Sequence, residues 1–127
     1  MTLQEIFDKV ATHLLTQNAR AQAPNGTYCY YRAPGGLTCA VGCLISDEAY
    51  QPQIEGVGVG NDRVSRVVAQ SIGQVALSER QQSLLASLQN IHDEVDPDRW
   101  PEALRKVAIH HKFQYGHIPG LTQGASQ

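Results

Sequence analysis

Apolar residues return every three to four positions in four separate stretches of this chain, a period that commits most of it to amphipathic helices. Leu3, Ile6, Phe7, Val10 and Leu14 make the first stripe, and Thr2 with Glu5 reads as a capping box that opens it. Asn61 or Asp62 caps a second stripe of Val64, Val67, Val68, Ile72 and Val75. Ser78 with Gln81 opens a third, where Leu84, Leu85, Leu88, Ile91 and Val95 form the buried face, His92 falls among them and Asp96-Pro97 ends the run. The fourth follows Pro101, with Trp100 at its entrance and Leu104, Val107, Ala108 and His111 on one side.

Between the first two stripes the helical period is lost. Ala23-Pro24-Asn25-Gly26 reads as a chain reversal. Tyr28 to Arg32 and Leu37 to Cys39, joined through Pro34-Gly35, predict a small β-hairpin. A type II turn at Pro34-Gly35 sets Arg32 opposite Leu37, Tyr31 opposite Thr38 and Tyr30 opposite Cys39. Ala40 to Ile45 fits a buried strand or a small-residue helix, and a short helix starting near Cys39 is the preferred reading. Glycines at 56, 58 and 60 raise the entropic cost of order and predict a flexible connection over residues 55–61. The apolar pattern stops after Phe113. The expected organisation is one globular domain over residues 1–113 with a flexible tail over 114–127. The expected fold class is α+β, mainly helical, with about four helices packed around the hairpin.

Composition removes several function classes. The 127 residues carry a formal charge of −2, so no strong positive field draws the chain to nucleic acid or to anionic lipid. Apolar runs stay far short of the ~18 residues that cross a bilayer, and no membrane partner is expected. Glu5 and Asp8 stand where a secretion signal carries basic residues. Three cysteines, an odd number, do not suggest an oxidised scaffold, and a reducing cytosol is expected. Only 17% of residues are charged, which weakens repulsion between copies and keeps a homo-oligomer in consideration.

Cys39 carries the sharpest chemical reading. A thiol at the first turn of a helix feels the positive end of the dipole, and His92 supplies a base or an imidazolium partner. Asp93 is the nearest carboxylate to orient that ring, although neighbours on a helix point about 100° apart. The opposing reading makes Cys39 and Cys43 small buried residues and His92 a hydrogen-bonded core histidine. No metal is expected: Cys39 and Cys43, with His110, His111 and His117, lack the second cysteine pair of a structural zinc site. Nor is any other cofactor, since Gly56 to Gly60 lacks the Gly-Lys-Ser/Thr and the preceding strand of a phosphate loop. Tyr28, Tyr30, Tyr31 and Arg32 form the candidate partner-binding surface, because Tyr and Arg are enriched where proteins bind each other.

Three stretches together, Tyr30-Tyr31-Arg32 to Gly36-Leu37-Thr38-Cys39-Ala40-Val41-Gly42-Cys43-Leu44-Ile45, Leu88-Gln89-Asn90-Ile91-His92-Asp93, and Trp100 to Ala108, resemble a family of small uncharacterised proteins of tailed bacteriophages and prophages. The resemblance spans residues 3–113 and carries no reaction with it. It implies an accessory protein acting in the host cytoplasm on a host or phage protein, such as a host factor or a component of a defence system. The function expected is therefore a noncatalytic protein-binding module. The alternative is a thiol-dependent hydrolase or transferase using Cys39, His92 and Asp93.

Overall fold

The computed structural model describes residues 1–22 and 29–121, and within them the chain is helical. Four helices follow in order: α1 Leu3–Gln17, α2 Asp62–Ser71, α3 Glu79–Glu94 and α4 Trp100–His111. The expected capping box opens α1, and a second opens α3 at the expected start. Thr2 accepts from Glu5 N while the Glu5 side chain takes Thr2 N, and Ser78 and Gln81 repeat the exchange at α3. Asn61 rather than Asp62 caps α2, its side chain accepting from Arg63 N.

Helices α1, α3 and α4 pack on one another. Ile6, Phe7, Val10, Ala11 and Leu14 of α1 meet Leu84, Leu85, Leu88 and Ile91 of α3 and Trp100, Leu104 and Ala108 of α4 in one continuous core. Trp100 has no exposed surface, and its indole N–H donates to the carbonyls of Ile91 and Val95, which tie the end of α3 to the start of α4. The second stripe is shorter than its spacing predicts: α2 caps at Ile72, Gly73 turns left-handed at φ 77°, and Val75 stands 99% exposed. At the other end of the chain, Ile118 and Leu121 are buried against the core, and Phe113 stacks on His111.

The expected α+β class is corrected. The described residues contain no sheet and no hairpin, only two isolated bridges, Gln22 with Cys29 and Arg32 with Thr38. Two causes are visible. Pro34–Gly36 forms a 3₁₀ turn with Gly35 and Gly36 both at positive φ, and Ala33 N–H closes it onto Leu37 O. That turn is longer than a two-residue hairpin loop, so Arg32 pairs with Thr38 rather than Leu37. Next to it, the Glu55 carboxylate takes the backbone N–H of Tyr31 (2.8 Å), the donor that a ladder to Cys39 would need, together with that of Arg32 (3.1 Å). After Cys39 the chain coils into helical turns ending in the 3₁₀ segment Gly42–Leu44, which realises the expected short helix in abbreviated form.

Candidate functional site

A cleft of about 420 Å³ opens between the 29–31 segment, the glycine-rich connection and the outer part of α3. Its walls include Cys29, Tyr30, Val57, Val59, Gln89 and Asp93. Residues 56–59, which form one wall, are held at their start: the Tyr31 hydroxyl donates to Val57 O, Val57 N–H to Ile54 O, and Glu55 binds Tyr31 N, Arg32 N and the Tyr50 hydroxyl. Gln89 and Asp93 lie four residues apart, one turn along α3. Gln89 Oε1 accepts from Val41 N at 3.0 Å, and Gln89 Nε2 donates to Asp93 Oδ1 at 2.9 Å.

Behind Asp93 sits His92, fully buried and stacked on Trp100. Both ring nitrogens are engaged. Nε2 accepts the backbone N–H of Ala21 at 3.0 Å, so that nitrogen carries the lone pair and the proton is on Nδ1, which donates to Asp93 Oδ1 at 2.8 Å. The neighbouring carboxylate therefore does orient the ring, contrary to the expectation from helical spacing. It does so because the imidazole turns inward onto Trp100 while the half-exposed Asp93 curls back over it.

The thiol nearest this pair is Cys29 rather than Cys39. The ligand-forming atoms of Cys29, His92 and Asp93 all lie within 4.8 Å of one another. Burial and the Asp93 carboxylate push the Cys29 thiol up to about 11, so it stays protonated at neutral pH. Cys39 borders the cleft but is 1% exposed; its sulfur accepts from Gly42 N at 3.2 Å, and burial drives its pKa far above the ordinary thiol value. No hydrogen bond joins Cys39 to His92 among the described residues. Cys43 donates to Ala40 O, and its thiol is pushed up to about 12, again by burial.

These states predict a reactivity order. An aromatic disulfide reagent at pH 8 should modify Cys29 first and slowly, at a rate that keeps climbing to about pH 11. Cys39 should stay unmodified until denaturant is added, with site-resolved mass spectrometry as the readout. Rapid labelling of Cys39 in the folded protein would contradict its enclosure.

The cluster fits a metal poorly. A metal-bound histidine presents a bare nitrogen to the ion and donates from the other to an acceptor. Here the second nitrogen faces the Ala21 N–H, a donor, so metal on Nδ1 would set two N–H groups against each other.

The expected partner surface is rearranged. Tyr28 lies outside the described residues. Tyr30 is half-buried on the cleft wall, with its N–H on Ala21 O at 2.6 Å. Tyr31 is buried at 6% exposure. Arg32 turns away from the cleft, donating to Ile45 O at 3.0 Å and Asp47 at 2.9 Å with its guanidinium 4.4 Å over the Tyr50 ring. Glu55 and Gln89 shape the site without belonging to any sequence-predicted site set. The four-residue step from Gln89 to Asp93 is a legible helical pair, whereas nothing local marks Glu55.

Among the described residues no helix is long and apolar enough to cross a membrane. Comparison with protein-family models, with curated proteins and with solved structures gives no match.

Proposed function

We propose that this is a small noncatalytic accessory protein, of the kind phages and prophages encode, that binds a host or phage protein in the bacterial cytoplasm through the Tyr30–Val57–Asp93 cleft. The observation that carries the noncatalytic half is the occupancy of His92. With Nε2 taken by Ala21 and Nδ1–H held by Asp93, the imidazole has no site left to receive a thiol proton. The binding half rests on an open cleft whose walls combine a tyrosine, two valines, glycine backbone and a few polar groups, a composition suited to recognition. Tyr31 and Arg32 contribute by bracing the wall, Tyr31 through Val57 and Arg32 through the 45–50 segment, rather than by meeting the partner.

A photo-crosslinking residue at Val59 in bacterial cells tests this reading. It should give a discrete protein adduct that persists in Cys29→Ser, while the same residue at exposed Glu102 on α4 gives none. Hydrolysis or acyl transfer by the purified protein that vanishes in Cys29→Ser would replace this reading with a thiol enzyme built on Cys29 in place of the expected Cys39.

A further inference from the structure

From the charge and lining of the cleft we infer that it receives a basic side chain, a lysine or arginine presented by the protein partner, with Asp93 as its counter-ion. This rests on the protein-binding reading and names the chemistry recognised.

Among the described residues lining the cleft, Asp93 is the one formally charged side chain and there is no Lys, Arg or His. Its internal hydrogen bonds from His92 Nδ1 and Gln89 Nε2 both fall on Oδ1. They fix the carboxylate plane, and among the described residues the further donor to this carboxylate is the weakly donating Cys29 thiol. Arg20, the cation felt at Cys29, is committed elsewhere: its guanidinium donates to His92 O at 3.1 Å and Val95 O at 2.8 Å and pairs with Asp96 at 3.5 Å. The surrounding field is negative. After burial, Asp93 is the main charge acting on the Cys29 thiol, with Arg20 opposing it and Glu94 adding less, and Asp93 and Glu55 are the carboxylates that raise the buried Tyr31 phenol.

A cation entering such a site gains a partly desolvated carboxylate and an adjacent aromatic wall at Tyr30, two features that favour guanidinium or ammonium over a neutral amide. The cavity of about 420 Å³ lies within the range of sites that enclose one small group, and its open mouth lets a side chain enter from a neighbouring backbone. An anion would instead meet Asp93 without a compensating donor of opposite charge.

The test is a titration of the ¹⁵N-labelled protein with three capped tripeptides, Gly-Arg-Gly, Gly-Gln-Gly and Gly-Glu-Gly. The arginine peptide should shift the amides of Tyr30, Val57, Gly58 and Asp93, and the glutamine and glutamate peptides should bind at least tenfold more weakly. Asp93→Asn keeps an acceptor for His92 and Gln89; it should preserve the rest of the spectrum and lose the preference for arginine. Equal shifts from the arginine and glutamine peptides, no shifts at the cleft with the arginine peptide, or an unchanged preference in Asp93→Asn would each overturn the inference. The Val59 adduct separates the two ideas. If it forms while the arginine peptide fails, the recognised charge is wrong and the contact surface stands; if neither is seen, both fall.

Discussion

Replacing Gly42 by alanine should destabilise the protein by about 3 kcal/mol or more, because the new methyl has no space to occupy. A Cβ at Gly42 would stand 2.1 Å from Tyr31 O and 2.9 Å from Tyr31 C. Both are backbone atoms, in a strip already fixed by Glu55 and by the contact of Cys39 N with Tyr31 O. Relief requires parting the 39–44 coil from the 29–32 segment, which opens the core around Val41 and Leu44 and widens the cleft. Urea unfolding and thermal melting would report it, with a fall in Tm of roughly 10 °C or more for a chain of this size. Gly58→Ala is the matched control: no atom lies within 4 Å of its Cβ position, so stability should change by less than about 0.5 kcal/mol. Equal stability of the two variants would mean that the coil and the segment do not touch as described.

Trp100→Ala should cost about 3–5 kcal/mol. The side chain is wholly buried, stacks on His92 at a centroid distance of 5.7 Å and bridges α3 to α4 through two carbonyls. Trp100→Phe separates packing from hydrogen bonding. It retains most of the ring area but leaves Ile91 O and Val95 O without the indole donor, for an expected loss of about 1–3 kcal/mol. Denaturant melts followed by far-ultraviolet circular dichroism measure both variants without relying on the single tryptophan for signal. If Trp100→Ala unfolded with the wild-type midpoint, the indole would not be the link between the two helices. Because the stack supports His92 and His92 supports Asp93, Trp100→Phe should also disturb the Asp93 amide.

The helical part of this fold was legible because each helix announces itself locally. Thr2 with Glu5 and Ser78 with Gln81 sit where the stripes begin, and the caps form between residues three apart. The hairpin misled because aromatic residues beside Pro-Gly satisfy every local criterion for paired strands. What decides the outcome is Glu55, more than twenty residues away, and local pattern carries no information about a carboxylate arriving from that distance. The candidate site divides the same way. His92 and Asp93 were legible as chemically interesting neighbours, but their third member was sought at Cys39. The bridge between Gln22 and Cys29, on a segment tied to His92 by the Ala21 N–H from far away in sequence, brings the other thiol there instead.

The Glu55 carboxylate has a consequence for how the chain around it can vary. In a paired ribbon, one inserted residue reverses every side chain beyond it, since register and facing are the same property. Here the orientation of Tyr31 and Arg32 is set by a single acidic clasp gripping two successive amides and the Tyr50 hydroxyl from outside the turn. The residues that brace the cleft are thereby held by a contact that does not pass through the exposed Pro34–Gly36 tip, beside the Arg32–Thr38 bridge that does.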